Sequence, residues 1–141
     1  MFMKEIFRIV IILILVLPLV NGEIRLNYPQ EVKVNEEFNI NLYVENFTAG
    51  VYDIKIDVNP EKRIAQIYNN GWRSTFYYVN NIITVDDSGK AETTLRMKIV
   101  DKFEGIAMME VRLKSASGKT SSFGNYTILV SKEEDKTEVK E

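Results

Sequence analysis

The sequence predicts an all-β protein built as an antiparallel β-sandwich. Three observations predict it. Apolar and polar residues alternate in run after run from residue 24 onward. Turn signals separate the runs every 10 to 15 residues. No segment after the first 22 residues holds a helical period. A period of two marks strands with one dry and one wet face, and many short strands divided by turns read as a sandwich.

The first segment, MFMKEIFRIVIILILVLPLVNGE, is a separate matter. Lys4 and Arg8 flank Glu5, and an apolar run then extends from Ile9 to Val20. A basic start, an apolar stretch of roughly 7–15 residues and small residues at the cut are the layout of a secretory signal. Pro18 breaks the helix ahead of the cut. Val20 and Gly22 occupy the small positions before it, so residues 1–22 are read as a signal peptide cleaved after Gly22. The alternative is a retained anchor, but a spanning helix needs about 20 apolar residues and this run is shorter. The chain is therefore expected to be secreted or held at the cell surface, with no membrane span after cleavage.

The expected domain covers residues 23–130. In FNINLYVEN, Phe38, Ile40, Leu42 and Val44 share one face. In VYDIKIDV the set is Tyr52, Ile54, Ile56 and Val58. Leu95, Met97 and Ile99 alternate with Thr94, Arg96 and Lys98, and Met109, Val111 and Leu113 with Glu110, Arg112 and Lys114. Ala49-Gly50, Asn59-Pro60-Glu61-Lys62, Asn70-Gly71, Asp87-Ser88-Gly89-Lys90 and Ser117-Gly118-Lys119 supply the turns. Asn-Gly is the strongest hairpin signal among them. Residues 131–141, SKEEDKTEVKE, carry almost nothing to bury and read as a charged, disordered tail.

Composition narrows the function. Of 18 basic and 20 acidic residues, only Lys4, Arg8 and Glu5 fall in the signal segment, so the domain is weakly acidic without a basic cluster. That excludes nucleic acid as a partner. The chain has no Cys and no His. No disulfide braces it, and the commonest general base and metal ligand is missing. No nucleophile–base pair, carboxylate pair or metal-ligand set groups in the sequence. The reading is a non-enzyme with no catalytic residues, no metal and no cofactor. Asp86-Asp87 reads as a turn whose carboxylate caps its own backbone, and Asp53 and Asp57 as wet-face charges beside Lys55.

The stretch YNNGWRSTFYYV, residues 68–79, is the richest in aromatics. Leaving the Asn70-Gly71 turn as a strand, it puts Trp72, Ser74, Phe76 and Tyr78 on one face and Arg73, Thr75, Tyr77 and Val79 on the other. Phe76 and Tyr78 are expected in the core, because inner faces of a sandwich are apolar. Trp72, Tyr77 and Tyr68 are the candidate ligand platform, suited to a sugar or a peptide. Two sequons, Asn46-Phe47-Thr48 and Asn125-Tyr126-Thr127, are candidate N-glycosylation sites. Asn46 lies at a strand end; Asn125, starting the last strand, is the less open.

The segment YPQEVKVNEEFNINLYVEN resembles the opening of immunoglobulin-like modules of archaeal and bacterial surface proteins, and SASGKTSSFGNYTILV resembles their last hairpin. AGVYDIKIDVNPEKRIAQI is similar to a strand of cohesin-type modules, with Asn59-Pro60 where those have Asp-Pro. The resemblance implies an Ig-like β-sandwich acting in cell-surface binding or adhesion. The partner would be a protein or glycan at the cell envelope. The alternative is a structural envelope or filament component assembled through strand or sheet packing.

Overall fold

The computed structural model describes residues 22–59 and 62–133. The expected signal segment, apart from Gly22, and the tail beyond Glu133 lie outside the described residues, as do Pro60 and Glu61 of one expected turn. Every regular element described is a strand: β1 (Glu23–Asn27), β2 (Glu31–Lys33), β3 (Glu37–Glu45), β4 (Gly50–Asn59), β5 (Ala65–Tyr68), β6 (Trp72–Ser74), β7 (Val79–Val85), β8 (Ala91–Ile99), β9 (Gly105–Ser115) and β10 (Thr120–Ser131).

The strands form two five-stranded sheets. Sheet A has the order β1-β3-β8-β5-β6, and sheet B the order β2-β10-β9-β4-β7. All pairs are antiparallel except β2 with β10. The chain's first extended stretch is thus divided. β1 pairs with β3 in one sheet, and beyond Tyr28-Pro29-Gln30 β2 joins β10 in the other. Pro29 suits that crossing, because it has no N–H to offer a ladder.

The alternating runs become the core. Phe38, Ile40, Leu42 and Val44 of β3 and Leu95, Met97 and Ile99 of β8 are buried from sheet A. Ile54, Ile56 and Val58 of β4 and Met109, Val111 and Leu113 of β9 meet them from sheet B. Strand pleating alone sorts these residues inward, since neighbours along a strand point to opposite faces. Apolar burial at roughly 25 cal/mol per Å² is what holds a disulfide-free domain together.

Candidate functional site

YNNGWRSTFYYV does not run on as one strand. Asn70-Gly71 does close a hairpin, pairing Tyr68 with Trp72, Ile67 with Arg73 and Gln66 with Ser74. Asn70 (φ 52°) and Gly71 (φ 127°) supply the left-handed backbone that so tight a loop requires. The strand then stops at Ser74. The Ser74 hydroxyl oxygen accepts the Phe76 N–H at 3.2 Å, and the Ser74 carbonyl accepts the Tyr77 N–H at 3.4 Å. These local bonds compete with the ladder and turn the chain. Thr75 swings inward, 1% exposed, donating its hydroxyl to Asp57 Oδ1 at 3.0 Å. From there the chain crosses to sheet B and resumes as β7.

The expected core role of Phe76 and Tyr78 is therefore wrong. Phe76 is 54% exposed, Tyr78 is half-buried, and Thr75 takes the inward place. Phe76 covers cations instead: the Lys55 ammonium lies 5.1 Å and the Arg63 guanidinium 4.9 Å from its ring centre. Tyr78 lies over Lys55 and Lys114 in the same way. Tyr77, on the exposed face as expected, meets Phe76 edge to face at 5.1 Å.

The three platform candidates separate into two places. Tyr68 and Trp72 stand together on the outer face of sheet A, their rings edge to face at 5.4 Å. Two cations from β8 lie against them. The Arg96 guanidinium is 3.8 Å from the Tyr68 ring centre and 5.7 Å from that of Trp72, and the Lys98 ammonium is 4.2 Å from Trp72. Glu37 reaches Arg96 only loosely, at 3.9 Å. Tyr77 is not part of this group. It lines, with Arg73, Ser74 and Tyr78, a recess of about 590 Å³ beside the passage from β6 to β7, and Trp72 borders both places. The sequence could not have revealed Arg96 and Lys98 as companions of Trp72, because the β5–β8 pairing that brings them there is long-range.

The acidic residues have structural tasks. Asp57 takes the Thr75 hydroxyl and an ion pair with Arg63 at 2.8 Å. Asp53 Oδ1 accepts the Asn81 N–H at 2.8 Å. Both thus pin the segment that follows the hairpin. Asp86 Oδ1 accepts from the Ser88 hydroxyl at 2.6 Å and from the Ser88 and Lys90 N–H groups at 3.0 Å each, the self-capping turn expected from the sequence. The Ser88 hydroxyl, and after it the Lys90 amide, hold the Asp86 carboxyl below its ordinary value. Among the described residues no three acidic side chains converge on a point.

Asn46 is exposed at the end of β3, on the rim of a groove of about 600 Å³ lined also by Phe47, Tyr52, Phe123 and several serines. Asn125 is more open than expected. It sits exposed, at φ 69°, where the β9–β10 register shifts between Phe123 and Tyr126. A bulge re-aims the chain there, so the last strand does not cover it.

No protein-family model matches the chain, and no curated protein matches it. Solved structures do. The SrpA adhesin of Streptococcus sanguinis matches at 12% identity over 83% of this chain and 60% of that one, with a TM-score of 0.47. Its R347E mutant matches at 15% identity over 81% and 59%, with a TM-score of 0.41. A cohesin module from a family 33 glycoside hydrolase of Clostridium perfringens ATCC13124 matches at 13% identity over 79% and 98%, with a TM-score of 0.38. The matched region spans about 60% of the adhesin chain's length. The chain is thus similar, at low identity, to an adhesin and to a cohesin module. Its two-sheet sandwich stands on the strand order and register described above.

Proposed function

We propose that the chain is an exported, non-catalytic Ig-like module that binds a protein or glycan at the cell envelope. The observation that carries this reading is the Tyr68–Trp72 pair with Arg96 and Lys98 on an otherwise polar sheet face. Aromatic faces offer apolar contact, and the adjacent cations add charged donors, the mixture that recognition surfaces use. Export is supported by the layout of residues 1–22 alone. In that setting both sequons are exposed acceptors, and Asn46 and Asn125 are proposed as glycosylation sites in a host with the pathway.

The test uses the exported chain and its Trp72→Ala and Tyr68→Ala variants. Each is presented to solubilised host envelope and to a glycan array. The reading expects one partner that the wild type retains and both variants lose, with unchanged far-UV circular dichroism. Equal retention by the variants overturns the platform. Intact mass should start at Glu23, and recovery of the uncleaved chain in membranes overturns the export reading. The second reading, an envelope component assembled through strand pairing, draws on one observation: β7 ends sheet B with an edge that pairs with no further strand among the described residues and bears no charge.

A further inference from the structure

Each sheet of this sandwich ends in two open edges, and a strand with an unpaired edge is a template for another strand. Proteins blunt such edges with charge, proline, bulges or brevity. Three of the four edges here are blunted. β1 carries Glu23 and Arg25, β2 is three residues long with Glu31 and Lys33, and β6 is three residues long with Arg73 at its centre. The fourth, β7, reads VNNIITV and has no charged residue.

The first half of β7 is protected by shape. The β4–β7 register shifts between Tyr52 and Ile54, Asn81 adopts φ 54°, and its N–H is taken by Asp53. The second half, Ile82–Val85, is regular, with Gly50, Val51 and Tyr52 opposite Val85, Thr84 and Ile83. Its far side pairs with no strand among the described residues. Outward from it stand exposed Thr84 and, next to Thr84 on β4, Val51 at 39% exposure, with half-buried Ile82 beside them, itself packed in part against the core.

We propose that Ile82–Val85 is a self-association edge. Two copies of this chain pair the Ile82–Thr84 part of this edge antiparallel about a twofold axis at Ile83, joining sheet B to its mate. The occupant is argued from self-complementarity. In that register Ile83 meets Ile83 of the second copy, Ile82 meets Thr84, and Asp86 falls opposite Asn80. No like charges oppose each other, whereas a twofold on β1 or β6 centred at Arg25 or Arg73 sets arginine against arginine. Each β-branched pair on the outer face adds cross-strand contact. An isologous contact of this kind closes as a dimer and does not propagate.

Size-exclusion chromatography with light scattering, over a concentration series of the exported chain, tests the proposal. A dimer is expected that grows with concentration. Thr84→Lys should abolish it with unchanged circular dichroism, because Thr84 is exposed and a charge there blocks the edge. Glu31→Lys on β2, and Trp72→Ala on the platform, should leave it intact, so its failure is separable from that of the proposed binding surface. The chain has no Cys, so Ile82→Cys and Thr84→Cys copies can be mixed under oxidation. The proposed register expects a disulfide-linked pair between the two kinds. A monomer at every concentration, a dimer that survives Thr84→Lys, or an open polymer overturns the proposal.

Discussion

Thr75 decides the course of the aromatic stretch, and it does so through one hydroxyl. Buried, with its O–H donated to Asp57, it fixes where the crossing to sheet B begins. Parity alone placed Phe76 inside. Parity holds only while a strand continues, and two local bonds to Ser74 end this one. A four-residue turn of this kind leaves almost no trace in hydrophobic pattern. The energetic consequence is a reversal of the naive ranking. Ile67→Ala, at a buried position of β5, should cost about 2–5 kcal/mol. Thr75→Val, which strips a donor from the partly buried Asp57, should cost about 1–3 kcal/mol. Phe76→Ala removes exposed contacts over Lys55 and Arg63 and should cost about 1 kcal/mol or less. Urea unfolding of the three variants checks the order; a Phe76→Ala loss as large as that of Ile67→Ala would return Phe76 to the core.

At the scale of elements, strands were legible and their partners were not. FNINLYVEN, VYDIKIDV and MEVRLK announce a buried face through alternation, and β3, β4 and β9 show it. The turn signals mark real connections, but a turn that closes a hairpin reads like one that changes sheet. Among neighbouring strands only β5–β6 and β9–β10 pair as hairpins; the other connections pass between the sheets. For that reason the company of Trp72 stayed hidden while Trp72 itself did not. The β7–β8 connection offers two tests of turn chemistry. Asp86 has a folded-state pKa below its ordinary value, with the Ser88 hydroxyl as the main cause. Its contribution to stability is therefore fully present above the unfolded Asp value of about 3.9 and is lost as pH falls through the lower folded value. Asp86→Asn should remove that part of the acid dependence and leave the remaining profile parallel, as seen in thermal unfolding between neutral and acid pH. The same turn contains Gly89, at φ 79°, where an added Cβ would lie 3.0 Å from the Phe47 carbonyl oxygen. Gly118 in the β9–β10 turn has a similar φ of 88° but open space around it. Both Ala substitutions carry backbone strain of about 1 kcal/mol, and Gly89→Ala should cost clearly more because backbone must also move. Equal losses in paired melting curves would mean that the Phe47 carbonyl yields freely.

For the whole molecule, one core joins both sheets. Ile40 and Met97 from sheet A and Ile56 and Met109 from sheet B belong to a single buried cluster that also takes in Ile67 of β5. A domain of this size with one core unfolds as a unit, and no disulfide holds any part of it apart. The least supported element is β6, three residues on the edge of sheet A, tied to the rest through β5. Trp72 lies in it and is the chain's single tryptophan, so its fluorescence reports that edge alone. Far-UV circular dichroism reports all ten strands. If Thr75 and Asp57 bind the hairpin's exit to sheet B as firmly as their burial implies, the two signals should fall together in urea with one midpoint. In Thr75→Val that tie is cut while Ile67 still anchors β5. The fluorescence midpoint should then move below the dichroism midpoint, because the β5–β6 hairpin can open before the core does. Coincident curves in the variant would show that pairing within the hairpin suffices to hold β6. Separated curves in the wild type would show that the edge bearing Tyr68 and Trp72 opens on its own, and a platform on it would then have to be ordered by whatever it binds.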